Sequence, residues 1–483
     1  MLFNSIEFLL FLPVVFLLYW FVFKPLRWQN MFVIAASYIF YGWWNWRFLG
    51  LIILATTTSF IGGLLLEHFR GRRRAQRWVC GANIAVSLGI LGTYKYYNFF
   101  ASNISAIFAS MGIDLGWVTL DLVLPVGISF YTFQTLAYTI DVYREKIEPT
   151  RDAAAFYAFV AFFPQLVAGP IERAANLLPQ FLAPRRFDYG QAVDGMRQAL
   201  WGLFKKMVVA DNCGVFVDHV FSNYQTVGSL NLFMGAVLFS FQIYGDFSGY
   251  TDIAIGTARL FGIELRRNFA FPYFSRSIAE FWRRWHISLT AWFRDYVYIP
   301  LGGSRHGTAV TVRNTIIVFL VSGFWHGADW TFICWGAFNA LLFVPLLLAG
   351  TSRRYKGTTV AEGRSLPSAK ELALMSVTFL LVVLGRILYR AESIPAAATF
   401  FRRMATEISY TYPLPEMRTG LYIALMLIVE WRHRHGQHGL AVSGGGRGGL
   451  IGHPALRRTL YIILTMLIIL ESGQQEAFIY FQF

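Results

Sequence analysis

Charged side chains are scarce in this chain. Only 14% of its 483 residues are Asp, Glu, Lys or Arg, while 56% are hydrophobic. A soluble globular domain carries roughly a quarter of its residues as charges, so that class is excluded. Cysteine is rarer still: Cys80, Cys213 and Cys334 stand far apart, with no CxxC spacing. They imply neither a disulfide framework nor a zinc site. Acidic residues are outnumbered, 27 against 42 Lys and Arg, for a net charge of +15. In a soluble chain that excess would suggest nucleic acid. Here the basic residues crowd into short gaps between apolar runs, as in "RGRRRAQR" from Arg70 to Arg77. The positive-inside rule accounts for them, and no nucleic-acid partner is expected. The opening "MLFNSIEFLLFLPVVFLLYWFVF" has no basic n-region and no small-residue cleavage site. It reads as a retained membrane helix rather than a cleaved signal. No internal repeat is visible, which counts against an inverted-repeat transporter.

What is abundant is apolar length. Runs of about 20 residues, enough to cross a bilayer core, begin at 3–23, 30–44, 47–69 and 78–100. With the Arg70–Arg77 gap cytoplasmic, the N-terminus lies outside and the spans alternate from there. The mildly amphipathic 101–120 suits the interface, and 122–143 crosses again. "AAAFYAFVAFFPQLVAGPIER" is broken by Pro164 and Pro170. Such breaks are tolerated where protein or water satisfies the freed backbone, so this stretch is expected to line an internal cavity. Further runs at 191–220, 229–262, 309–322, 326–350, 372–390, 418–431 and 456–471 bring the expectation to about a dozen membrane helices. The stretch 273–306, "YFSRSIAEFWRRWHISLTAWFRDYVYIPLGGSRH", is too charged to span lipid simply and is expected to be re-entrant, interfacial or buried in protein. The fold class is therefore an all-α polytopic membrane protein, a single integral membrane domain over 1–483. The glycine-rich 433–454 reads as a flexible loop. Its close histidines His433, His435 and His438 are read as solvated rather than metal-bound, and no metal is expected.

Ionisable groups at membrane depth are costly, and each is a candidate for function. His326, in "SGFWHGADW", lies at the start of an apolar run, and His286 lies in "RRWHISLTAWFRDY". A neutral imidazole away from bulk water can take a proton from an attacking hydroxyl. Gly323 and Gly327 would let another backbone or a ligand approach His326. The plainer reading makes both histidines core residues bonded to carbonyls. Arg283, Arg284, Arg294 and Asp295 form either a structural charge network or contacts to phosphate groups of a ligand. Asp246 and Asp252 are either transporter-like charges or carboxylates paired with an arginine. "GDFSG" is not a nucleophile elbow, because its serine is fourth rather than central.

"FWRRWHISLTAWFRDYVYIPLGGSR" and "NTIIVFLVSGFWHGADWTFICWGAFNA" resemble the membrane-bound O-acyltransferase family, in its bacterial alginate O-acetyltransferase-like branch. "LPVGISFYTFQTLAYTIDVYR", "FFPQLVAGPIER", "YGDFSGYTDIAIG" and the terminal "FIYFQF" match the same branch, so the resemblance runs from about residue 3 to 483. It implies a ring of membrane helices around a central tunnel that holds His326 as the essential histidine and His286 as the second. It implies a cytoplasmic acyl thioester donor such as acetyl-CoA, with no bound cofactor. The acceptor would be an extracytoplasmic polysaccharide hydroxyl, reached through a periplasmic acetyltransferase- or esterase-like partner protein. The setting would be the inner membrane of a bacterium, with membrane lipid around the chain. On this reading His326 is the base, and His286 or a backbone N–H stabilises the oxyanion. Trp325, Trp285 and Trp330 shape a dry tunnel, Arg283 and Arg284 attract an anionic donor, and Asp295 sits in the same charged segment. Two departures stand out: Arg386 in "FLLVVLGRILYRAES", where an aromatic residue is expected, and the glycine-rich loop near 445.

Other classes remain. The same chemistry fits a teichoic-type polymer, a peptide or a lipid as acceptor. A transporter would need paired charges at mid-membrane and repeat symmetry. A receptor or scaffold would leave the surroundings of His326 unexplained. Consumption of an acyl thioester separates the enzyme from the rest.

Overall fold

The computed structural model describes residues 1–117, 119–120, 122–167, 169–406, 408–409, 415–442, 453–472 and 478–479. The described residues are helical, and the chain divides into two compact units. Residues 443–452 of the glycine-rich loop and most of the terminal "FIYFQF" lie outside the described residues.

The first unit comprises Met1–Gly195 and Ala254–Arg266. It contains α1 (Ile6–Leu17), α2 (Leu26–Asn45), α3 (Leu49–His68), α4 (Arg73–Leu91), α5 (Tyr97–Ser110), α6 (Ile128–Tyr143), α7 (Ala153–Ala161), α8 (Phe163–Leu166) and α9 (Ala174–Leu182). Between α2 and α3 the chain makes a 3-10 turn at Trp46–Phe48, opened by the Asn45 side chain, which accepts from Arg47 N–H. α6 packs against α3 and α4, and α7 against α2 and α9. The break expected around Pro164 falls at Phe162, between α7 and α8. Proline has no N–H to give to the preceding turn.

The second unit comprises Met196–Ile253 and Arg267–Phe483. Its helices are α10 (Tyr189–Leu203, most of it), α11 (Asp211–Ser222), α12 (Ser229–Leu260, up to Ile253), α13 (Ile278–Arg284), α14 (Ile287–Phe293), α15 (Gly307–His326), α16 (Trp330–Leu348), α17 (Ala369–Arg390), α18 (Ile394–Thr406), α19 (Met417–Arg432) and α20 (Pro454–Leu470). α15, α16 and α17 pack in series. Caps fix their starts: Asp329 accepts from Thr331 N–H for α16, and Ser368 with Glu371 forms a capping box for α17. The charged 273–306 folds as two seven-residue helices followed by a π turn at Arg294–Tyr298, and neither helix is long enough to span.

Among the described residues, five stretches are long and apolar enough to cross a hydrocarbon core: Leu26–His68, Ser229–Leu260, Gly307–His326, Trp330–Leu348 and Ala369–Arg390. Leu26–His68 contains two helices of 20 residues each. Exposed Leu341, Val377 and Leu380 give these helices apolar outer faces suited to lipid.

Three expectations are corrected. His326 does not open the second of two runs; it is the last residue of α15. The Asp329 cap moves the next helix start to Trp330. Asp246 and Asp252 pair with lysines rather than an arginine. Lys206 Nζ lies 2.6 Å from Asp211 and 2.9 Å from Asp246, and Lys205 Nζ lies 2.5 Å from Asp252. The π turn Phe204–Ala210 places the two lysines side by side in the interior. The four charges of 283–295 do not form one network. Arg284 pairs with Glu280 of its own helix at 2.8 Å, and Arg294 pairs with its neighbour Asp295 at 2.7 Å. Glu280 lies one helical turn from Arg284, and Asp295 is the residue next to Arg294.

Candidate active site

The site begins with a break in a helix. α13 starts at Ser277, whose side chain accepts from Glu280 N–H, and stops at Trp285. His286 then takes the left-handed conformation, with φ 45° and ψ 56°. A non-glycine residue rarely adopts it, and it persists only where neighbours enforce it. Here Asn268 enforces it. Its carbonyl accepts from Ile287 N–H at 2.9 Å, and its side chain accepts from Ser288 N–H and Oγ at 3.2 and 3.0 Å. Ala270 N–H donates to Arg284 O at 2.9 Å, closing the other side of the break. The break turns the His286 ring inward, where it is 1% exposed. Phe247 stands 4.7 Å from it edge-on, and Phe269 stacks at 6.4 Å. Burial drives the imidazolium down to about 3 from its ordinary value. His286 is therefore neutral at pH 7 and carries one N–H to donate.

His326 arrives from the opposite direction, at the C-terminal end of α15, and is 4% exposed. Two glycines set its depth. A Cβ on Gly323 would stand 2.2 Å from Phe332 O, and one on Gly336 would stand 2.4 Å from Phe319 O. The backbone that approaches Gly323 is thus that of α16. This contact brings Trp335 to 5.1 Å from the His326 ring. Tyr389 of α17 places its hydroxyl 3.3 Å from His326 Nδ1. Trp325 packs 4.9 Å from His326 and 6.0 Å from His286. The centroids of the two histidines are 6.4 Å apart. That is too far for a direct ring-to-ring hydrogen bond, and close enough for one small bound group to reach both.

Both histidines line one cavity of about 750 Å³, within the range of ligand pockets. Trp282, Phe293, Phe319 and Phe343 give it apolar walls; Arg283, Arg294, Arg353 and Lys356 supply cations. Arg283 is anchored by donation to Ser352 O at 2.7 Å. Arg284 is not among the lining residues and is committed to Glu280, Ala270 O and Thr358 O. Asp295 holds Arg294 through two contacts. Trp285 and Trp325 are buried beside the histidines, whereas Trp330 is 51% exposed at the first turn of α16. Trp335 is the tryptophan against His326 from that helix. Sequence reasoning missed Trp335, Tyr389, Asn268, Arg353 and Lys356. Tyr389 is 63 positions from His326, so no local spacing could join them. Arg353 and Lys356 sit in "SRRYKG", a basic gap that topology alone explains.

A cavity lined by two histidines is suited to moving a group onto a hydroxyl. Residues 145–361 match the profile of the membrane-bound O-acyltransferase family. Over 506 aligned positions the chain is 37% identical to the probable alginate O-acetylase of Pseudomonas putida, with 100% of each chain covered. The chain belongs to the membrane-bound O-acyltransferase family. It is an O-acyltransferase and a multi-pass membrane protein of the alginate O-acetyltransferase-like type. The peptidoglycan O-acetyltransferase of Helicobacter pylori is 34% identical over 435 residues, covering 84% of this chain and 80% of its own. The teichoic acid D-alanyltransferase of Bacillus subtilis is 27% identical over 235 residues, covering 46% of this chain and 58% of its own. The segment of this O-acyltransferase that matches the family profile contains both histidines and the helix break; Arg386 and Tyr389 lie beyond it.

Proposed function

We propose that this O-acyltransferase passes an acetyl group from a cytoplasmic thioester, acetyl-CoA in the first instance, to a hydroxyl of an extracytoplasmic polysaccharide. The whole chain acts as one catalytic membrane domain in the bacterial inner membrane, and a periplasmic acetyltransferase- or esterase-like protein serves as partner. The observation that carries this reading is the cavity lined by both His286 and His326, with four cations on its wall. The names of the alginate and peptidoglycan relatives support a polysaccharide acceptor.

His326 is the general base. The role of base takes the tautomer in which Nδ1–H donates to the Tyr389 hydroxyl, 3.3 Å away, and Nε2 accepts the proton of the acceptor O–H. As Nε2 takes that proton, the acceptor oxygen attacks the thioester carbonyl carbon. The carbonyl electrons move onto oxygen, and neutral His286 donates its N–H to that oxyanion. The oxyanion collapses, the C–S bond breaks, and the leaving thiolate takes the proton from His326. Trp285 and Trp325 keep water out. Arg283, Arg294, Arg353 and Lys356 attract the phosphates of the donor.

The test is release of free thiol from acetyl-CoA by the protein in nanodiscs with a polysaccharide acceptor, beside the His326→Ala variant. Release by wild type and none by the variant is the expected result. Equal release by both would overturn the role of His326. A wild type that leaves acetyl-CoA intact but consumes a carrier-bound acyl group would make the donor a carrier-bound thioester.

A further inference from the structure

Arg386 lies on α17, three residues before Tyr389, and is 2% exposed. A buried cation normally carries its anion with it. The other buried cations of this unit follow that rule: Arg276 pairs with Glu280, Lys206 with Asp211 and Asp246, and Lys205 with Asp252. Arg386 has no carboxylate within ion-pair distance among the described residues, and its Nε and Nη2 make no hydrogen bond among them. The guanidinium reaches the Tyr273 hydroxyl. Its other neighbours are aromatic faces, with its central carbon 4.4 Å from the centroid of Trp285 and 5.6 Å from that of Tyr389. These two residues hold the histidines. Trp285 directly precedes His286 at the helix break, and Tyr389 faces His326 Nδ1. Gly385 admits the arrangement, since a Cβ there would stand 3.2 Å from the Phe338 ring of α16. An uncharged aromatic residue would pack here at lower cost, and the sequence has a cation instead.

We propose that Arg386 is the standing counter-charge for the oxyanion that forms between His286 and His326. It acts through Trp285 and Tyr389 as a positioning residue. The inference rests on reading the pair as an acyl-transfer site. Before reaction the buried guanidinium behind Trp285 and Tyr389 has no carboxylate partner among the described residues. When the acceptor oxygen bonds to the thioester carbon, the carbonyl oxygen becomes negative and supplies the anion. When the C–S bond breaks, that charge leaves with the thiolate, which is then protonated by His326. In surroundings without water a unit charge acts over several ångströms without contact. A charge already in place needs no reorganisation as the oxyanion appears. The cost of burying Arg386 is thus offset in the transition state rather than in the ground state, and its loss should lower kcat rather than raise KM.

The experiment measures initial rates of thiol release against acetyl-CoA concentration for wild type, Arg386→Lys, Arg386→Gln and Arg386→Met in nanodiscs with polysaccharide acceptor. Gel filtration and melting temperature accompany each variant. The Gln and Met variants should lose about 100-fold in kcat, with KM for acetyl-CoA within about twofold of wild type. The Lys variant should recover to within about tenfold of wild type. Either neutral variant, folded and with wild-type kcat, overturns the proposal. A folded Lys variant as slow as the neutral ones also overturns it, since shape rather than charge would then matter. If Gln does not fold, Met, of similar length and apolar, decides. A wild type that releases no thiol from acetyl-CoA overturns the donor reading on which the inference rests, and that result is distinct from any pattern among the variants.

Discussion

His286 combines two demands that a single substitution usually confuses, a left-handed backbone and a buried neutral ring. Asparagine accepts positive φ better than most residues, so His286→Asn separates them. The expected outcome is a folded protein with thiol release reduced about 100-fold, whereas His286→Val should be both inactive and lower in melting temperature, by strain at φ 45°. The same residue gives a pH signature. Its imidazolium is held at about 3 in the fold, against an unfolded value near 6.5. Between those two values the unfolded chain binds the extra proton, so this contribution to stability is intact above about pH 6.5 and declines as pH falls toward 3. Wild type should therefore lose melting temperature between pH 6.5 and 4 more steeply than His286→Asn. Parallel curves would show that the ring is not the group responsible. Both histidines were legible in the sequence, because an imidazole among aromatics and long apolar runs is conspicuous. The φ of His286 was not legible, because Asn268 enforces it from outside the local motif.

At the scale of helices, the site depends on how closely α15 approaches α16. Gly323 and Gly336 face each other's helices so closely that any Cβ must displace backbone. Small residues at a membrane helix interface serve this purpose, because apolar lipid gives no force that would otherwise hold two helices together. Gly336→Leu should push α16 away from Phe319, widen the gap between His326 and Trp335, and lower kcat at least tenfold. A thiol-release assay on folded protein checks this; unchanged kcat would mean that the His326 position does not depend on the contact. The sequence announced a close approach at Gly323 and Gly327 without naming the partner. It placed the end of α15 too early, since hydropathy continues through "FWHGADW" while the Asp329 cap stops and restarts the helix. Apolar content reports where chain can be buried, and capping decides where a helix begins. Three of the runs expected as membrane spans, 3–23, 47–69 and 78–100, have a 3-10 or π turn within or beside them.

For the whole chain, the excess of +15 was read as a topology signal, and the structure gives part of it a second use. Arg283, Arg294, Arg353 and Lys356 come from two regions of the chain some 60 residues apart, and all line the cavity that both histidines line. No sequence window contains all four, so the folded chain alone brings them together. Arg353 and Lys356 lie in the connection between α16 and α17, away from the histidines in sequence. If the cavity receives a phosphate-bearing donor, their charges should act on capture more than on chemistry. Reversing both, with Arg353→Glu and Lys356→Glu, should raise KM for acetyl-CoA about tenfold, equivalent to ~1.4 kcal/mol. Because the rim is reached by solvent ions, the wild-type KM should itself rise between low and physiological salt, and the double variant should lose that dependence. Steady-state kinetics at two ionic strengths give both numbers. If instead kcat falls while KM and its salt dependence stay as in wild type, the cations hold the chain around the cavity rather than the donor within it.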